Sequence, residues 1–337
     1  MFSQDQLQEI NQLIVNQSEK IVILTHHNPD GDAIGSSLAL YLYLKSKNID
    51  STVIVPNEFP KFLKWMPEVK KIVIAELRKK HTEILIKNAT VIFCLDFNAT
   101  NRIETLKEYL IQSKATKILI DHHQQPENFD FVYSDTSQPA TCQMIYKFIN
   151  AMNDNHLIDK NIATCLYSGL LTDTGSFRFR NTTGETHRIV ADLLEKGAIP
   201  DEISSNILDS NSVSRLKLLG ILLEKMLYFP ENKSVILHLT KDELLQFGYQ
   251  KGDTEGFVNY GLSIKGVKFS ALILDDLYND YRRISLRSKG IFDVNNFARI
   301  HFNGGGHTNA AGGKSFETME VTLKRMEILI KNEKELQ

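Results

Sequence analysis

The stretch Thr25-His26-His27-Asn28-Pro29-Asp30-Gly31-Asp32-Ala33-Ile34-Gly35 decides the fold of this chain. It follows Ile21-Val22-Ile23-Leu24, a short apolar run with the character of a buried strand. It precedes an apolar, helix-spaced segment over residues 34–47. An imidazole and two carboxylates therefore fall on a strand-to-helix turn, where open α/β sheets carry their ligand sites. Pro29 and Gly31 are expected to hold this turn out of the helix, so that Asp30 and Asp32 both aim away from the strand end. Taken alone, a loop of Asp, Asn, Pro and Gly is an ordinary turn. Its recurrence along the chain gives it weight.

Up to about Ser134, short apolar strands alternate with amphipathic helices, the pattern of helices packed on a parallel sheet. The expected strands are 21–25, 52–55, 91–95, 117–120 and 131–133. The first runs into His26, the third into Asp96 and the fourth into Asp121-His122-His123. Parallel strands bring these ends to one sheet edge, so groups far apart in sequence converge. One Asp after a strand is usually a cap or turn residue. Three strand ends carrying Asp and His exceed that explanation.

Residues 138–171 have a helical pattern that runs into Thr172-Asp173-Thr174-Gly175. Asp173 there is either a helix-stop carboxylate or a fourth ligand arriving from another element. Helical spacing resumes over 185–196, Gly197-Ala198-Ile199-Pro200 punctuates it, and a further helical run covers 213–228. After Phe229-Pro230 a second unit begins, with strands expected at 234–239, 267–274 and 282–287. Near its end, Asn303-Gly304-Gly305-Gly306-His307 leaves backbone N–H groups unshielded. A helix is expected just after the glycines, an arrangement that receives phosphate or another anion; a bare Gly-rich loop is otherwise a flexible turn. Residues 317–331 complete the chain as an amphipathic helix with a solvated face. The expected architecture is α/β in two domains: a parallel-sheet domain over 1–198, a helical linker over 199–231 and a smaller α/β domain over 232–337.

The 337 residues carry 39 basic and 41 acidic side chains, a net charge of −2. A protein that holds long nucleic-acid backbones needs a large basic excess, which is absent. The apolar share of 42% is that of a soluble globular protein. Cys94, Cys142 and Cys165 form no CxxC pair, which fits a reducing compartment. Residues 1–20 are polar and helix-like rather than signal-like, and no apolar run suits a bilayer span. A cytoplasmic location with no membrane partner is expected.

The convergent candidates are His26, Asp30, Asp32, Asp96, Asp121, His122, His123 and Asp173. Several carboxylates in one crevice cannot all ionise without a compensating cation. Hard oxygen ligands with a minority of imidazoles and no thiolate suit Mn²⁺ or Mg²⁺. Their number exceeds one octahedron, so two metal ions are expected, the arrangement that hydrolyses phosphoesters.

His26-x-x-Pro29-Asp30-x-Asp32, Asp96, Asp121-His122-His123 and Asp173 resemble the four motifs of the DHH phosphoesterase superfamily. Gly304-Gly305-Gly306-His307, with Arg287-Ser288 upstream, resembles the DHHA1 domain that accompanies it. The resemblance spans nearly the whole chain in order. It is strongest to the compact branch that cleaves very short RNA and 3′-phosphoadenosine 5′-phosphate (pAp).

It implies one Mn²⁺ on His26, Asp30 and Asp96, and a second on Asp32, Asp96, His122 and Asp173. It further implies His123 facing the substrate and Asp121 orienting a neighbouring ligand imidazole. Arg102, six residues past Asp96, is expected either to approach a phosphate from the first domain or to be solvated on a helix surface. His307, the amides of Gly304, Gly305 and Gly306, Arg287 and Ser288 would grip the rest of the nucleotide, with the cleft between domains as substrate site. His27 is a bystander. The implied partners are small nucleotides and very short RNA, with a homodimer by resemblance; cyclic di-AMP or its linear product pApA is the alternative substrate.

Overall fold

The computed structural model describes residues 1–15, 20–250 and 252–336. The helix-like reading of residues 1–20 is met over α1 (Gln4–Val15), while residues 1–3 and 20 are not helical and 16–19 lie outside the described residues. The chain divides into two compact units, Met1–Ser210 and Asn211–Gln337.

The first unit is built on six parallel strands: β1 (Ile21–Leu24), β2 (Ser51–Val55), β3 (Val73–Ile74), β4 (Val91–Leu95), β5 (Thr116–Asp121) and β6 (Phe131–Ser134). Their order is β3-β2-β1-β4-β5-β6, so the direction of winding reverses between β1 and β4. β1 and β4 are buried at every position, as parallel strands covered on both faces must be. Alternation sorts their side chains. Ile21, Ile23, Phe93 and Leu95 enter a core with α2 (Gly31–Ser46), while Val22, Leu24, Ile92 and Cys94 face α3 (Lys79–Asn88) and α4 (Lys107–Gln112). α5 (Thr141–Ala151) and α6 (Lys160–Asp173) join α2 in the first of these cores, followed by α7 (Gly184–Glu195) and α8 (Pro200–Ile207).

The turn after β1 differs from expectation. Gly31 opens α2 instead of breaking it, and Asp30 is the N-cap, its Oδ1 accepting from the N–H groups of Asp32 and Ala33 at 3.1 Å each. Glycine is needed at 31 because a Cβ would lie 2.5 Å from the Thr172 hydroxyl oxygen on α6. Asp32 is thus a helical residue, on the first turn of α2.

The second unit starts with α9 (Val213–Glu224), whose Leu218 and Leu222 pack against Val235, Leu237 and Leu272. The segment read as a linker is therefore shared out: Ile203 of α8 belongs to the first core and α9 to the second. Residues 227–228 leave the helical reading and form β7 (Leu227–Phe229), antiparallel to β8 (Ser234–Leu239). α10 (Lys241–Gln246) and α11 (Val258–Leu262) carry the chain to β9 (Phe269–Asp275), parallel to β8, and β10 (Arg282–Ser288) returns antiparallel.

After α12 (Val294–His301), the glycines form β11 (Gly305–His307), which turns directly into β12 (Ala310–Ser315). No helix follows them; the expected helix N-terminus is a hairpin. Its strands approach so closely that a Cβ at Gly304 or Gly306 would collide with the backbone of Gly312 or Ala310. α13 (Met319–Asn332) completes the unit. No described helix is long and apolar enough to cross a membrane.

Candidate metal centre

The carboxyl ends of β1, β4 and β5 meet where the sheet order reverses, and the expected groups meet with them. Asp96 occupies the centre. Its φ of 64° turns the chain immediately after β4, and its side chain is almost wholly buried. Asp96 Oδ2 lies 3.4 Å from His26 Nε2, and Asp96 Oδ1 lies 3.4 Å from His122 Nε2. His26 Nε2 is also 3.9 Å from Asp30, and His122 Nε2 is 3.3 Å from Asp173 and 3.8 Å from Asp32. Asp30 and Asp173 keep 42% and 25% of their side-chain surface exposed, so they form the mouth; Asp32, Asp96 and Asp121 form the floor.

Carbonyl partners set which ring nitrogen faces the cluster. His26 Nδ1–H donates to the His27 carbonyl at 2.9 Å, and His122 Nδ1–H donates to the Gln138 carbonyl at 3.2 Å. A carbonyl only accepts, so in the neutral rings each Nε2 turns a lone pair toward the carboxylates. His26, Asp30 and Asp96 place ligand atoms within 4.8 Å of one another, as do Asp32, Asp96 and His122. Asp96 belongs to both groups.

Electrostatics test whether cations fit. Burial, reinforced by the charge of Asp96, pushes the Asp32 carboxyl up to about 7. Burial and then Asp32 push Asp173 well above the carboxylate range. Burial opposes charge on His26 and His122, but the carboxylates, Asp96 first, outweigh it and hold both rings above their ordinary value. Left to itself, the cluster must hold protons to offset its anions. Hard divalent cations fit this donor set and would take over that role.

Asp121 differs in its partner. Its Oδ1 accepts from His123 Nδ1–H at 2.7 Å and its Oδ2 from the His123 backbone N–H at 3.0 Å. The imidazole it orients is thus His123, whose Nδ1 lies 3.8 Å from Asp96 Oδ1, and not the His26 or His122 ring assigned to the metal ions. Burial, followed by the charges of Arg102 and His122, holds His123 well below its usual value. Arg102 is half-buried, and its backbone carbonyl accepts from the His27 N–H at 2.8 Å, which ties its segment to the turn after β1.

In the second unit the expected phosphate grip is partly spent on the fold. The Ser288 hydroxyl donates to the Phe292 carbonyl at 2.7 Å and accepts from Asn309 Nδ2 at 2.8 Å, so its proton is already committed. The Gly306 N–H donates to Asn295 Oδ1 at 2.9 Å, which corrects the reading of an open amide there. Arg287 donates to the Leu286 carbonyl at 3.0 Å, and His307 ends β11, half-buried. Thr141, Gln138 and Asn295 were not singled out from sequence. Thr141 carries one weak signal, a hydroxyl residue opening a helix after Pro139-Ala140.

The family model of the DHH family N-terminal domain matches residues 20–170, and that of the DHHA1 domain matches 232–332. The bifunctional oligoribonuclease and PAP phosphatase NrnA of Thermus thermophilus is 31% identical over 87% of this chain and 83% of its own. The chain belongs to the DHH family. A solved structure of an exopolyphosphatase-related protein from Bacteroides fragilis is 41% identical and superposes with a TM-score of 0.93, covering 98% of this chain and 96% of that one. RecJ of Thermus thermophilus in complex with Mn²⁺ shares the fold at 12% identity and a TM-score of 0.56, over 97% of this chain and 53% of that one. The DHH and DHHA1 domains follow one another in the order anticipated from the motifs.

Proposed function

We propose that this chain is a Mn²⁺-dependent phosphoesterase that hydrolyses very short oligoribonucleotides to mononucleotides and removes the 3′-phosphate of pAp. The observation that carries this reading is that Asp96 is shared by the group of His26 and Asp30 and the group of Asp32 and His122. A carboxylate has two oxygens that reach separate cations. One ion is assigned to His26, Asp30 and Asp96, and the second to Asp32, Asp96, His122 and Asp173. Held by these residues, two divalent ions would supply Lewis acidity to a phosphoryl oxygen and acidify a water at neutral pH.

The residues of the chain perform the remaining tasks. With Nδ1–H held by Asp121, His123 offers Nε2 to the substrate. It donates there only once doubly protonated, which the negative charge of a phosphoester favours and burial in the free protein opposes. Arg102 adds positive charge beside it. In the second unit His307 and Arg287 are assigned to the terminal phosphate, with Ser288 and Asn295 bracing the hairpin that carries His307. The near-neutral net charge supports small substrates over long polymers. Three buried free cysteines support a cytoplasmic setting.

The test is a parallel turnover assay in Mn²⁺ on pAp, ribonucleotide 2–5-mers, pApA and cyclic di-AMP. Efficient release of mononucleotides from short RNA and of phosphate from pAp is expected. Strong preference for pApA or cyclic di-AMP would assign the chain to dinucleotide turnover, and no turnover of any of them would overturn the enzymatic reading.

A further inference from the structure

We propose that Thr141 is a positioning residue that joins Asp32 and Asp96 into one metal-holding frame. The inference rests on the two-cation reading above and deepens it. Thr141 is the first residue of α5 and is fully buried. The N-cap of that helix, Ala140, supplies no side-chain cap, so first-turn N–H groups need acceptors from elsewhere. Asp32, on α2, provides them: its Oδ2 accepts from the Thr141 N–H at 2.6 Å and its Oδ1 from the Cys142 N–H at 2.9 Å. The Thr141 hydroxyl then donates to Asp96 Oδ1 at 2.9 Å. One residue thus holds two carboxylates, from α2 and from the end of β4, through atoms only three bonds apart.

This contact also assigns the oxygens of Asp96. Oδ1, held by Thr141, is the oxygen beside His122, and Oδ2 is the oxygen beside His26. A carboxylate free to rotate about its Cβ–Cγ bond would blur that division. With Oδ1 pinned, each oxygen serves its own ligand group. Three residues earlier, the Gln138 carbonyl fixes the His122 ring. The strap from Gln138 to Thr141 therefore orients three groups of the cluster without itself belonging to the donor set. The hydroxyl carries the proposed role, since any residue at 141 retains the backbone N–H.

The experiment compares the full chain with Thr141→Ser, Thr141→Val and Thr141→Ala. Bound Mn²⁺ is counted by equilibrium dialysis, magnetic coupling of the Mn²⁺ pair is read by electron paramagnetic resonance, and melting of the metal-free protein reports the fold. Thr141→Ser keeps the hydroxyl and is expected to retain both ions and the coupled spectrum. Thr141→Val keeps the branched shape but places a methyl against Asp96, and at least one Mn²⁺ is expected to weaken by about 10–100-fold with loss of coupling. Should Thr141→Val fail to fold, Thr141→Ala is read by the same criterion. A folded Val or Ala variant that binds two coupled ions as tightly as the wild type overturns the proposal. So does a change in melting alone, which is what a merely structural residue would give. A wild type that binds no Mn²⁺ overturns the two-cation reading itself, and that failure is distinguishable because it needs no variant.

Discussion

Asp154 shows how a single carboxylate far from the cluster supports it. It follows α5 and accepts from the Tyr43 hydroxyl of α2 and the Lys47 ammonium at the end of α2, each at 2.6 Å. It pins the far ends of the two helices whose near ends meet through Asp32 and Thr141. Burial opposes its charge, but the bonds from Lys47 and Tyr43 outweigh that and hold its carboxyl below the ordinary value. A depressed carboxyl contributes stability that is present above its unfolded value and is lost as pH falls through its folded one. Asp154→Asn is therefore expected to cost about 1–3 kcal/mol at pH 7. The gap to the wild type should begin to narrow below about pH 4 and shrink further as the pH falls through the depressed folded value. Urea midpoints at pH 7 and pH 3 check this, and an unchanged gap at pH 3 would contradict it. At this scale His26, Asp96 and His122 were legible because they follow apolar runs that mark strand ends, whereas Asp30 and Asp32 cap and open α2 and Asp173 ends α6. Thr141 was not legible as a partner of Asp32, since the two lie 109 positions apart and meet only through helix packing.

At the level of elements, the cluster depends on how closely α2 and α6 cross. Gly31, Gly35 and Gly169 line that crossing: a Cβ at Gly35 would lie 2.7 Å from the Cys165 carbonyl oxygen, and one at Gly169 would collide first with Cys142 Sγ on α5 and lie 2.8 Å from Asp32 Oδ1. Gly169→Ala is expected to push α6 off α2, costing about 1–3 kcal/mol. It should weaken Mn²⁺ binding as well, because the intruding methyl strikes a proposed ligand. Gly220→Ala in α9 makes the opposite case. A Cβ there meets nothing within 4 Å, so the substitution should stabilise by about 0.5–1 kcal/mol and leave Mn²⁺ binding alone. Melting and dialysis on both variants check the pair; equal effects would contradict the account. The central strands were legible as uninterrupted apolar runs. β3 was not, because two residues show no period. The hairpin at Gly305 was not either, since glycines carry no side-chain alternation and their close packing against β12 is visible only in space.

For the whole molecule, each unit has its own apolar interior, Ile23, Leu38 and Phe148 in one and Phe269, Leu286 and Met326 in the other. The order of the two domains was legible from motifs at opposite ends of the chain. The boundary was not: an amphipathic helix such as α9 shows that it has an apolar face, not which core that face enters. The central claim of the proposed reading is that strand ends of the first unit, together with the start of α2 and the end of α6, would hold two cations around one shared carboxylate. It is tested most directly by counting bound Mn²⁺ per chain in the wild type and in Asp96→Ala, with folding of both verified by circular dichroism. Two ions in the wild type and a severe loss of both in folded Asp96→Ala are expected. A folded Asp96→Ala protein that still binds two Mn²⁺ with wild-type affinity would contradict it.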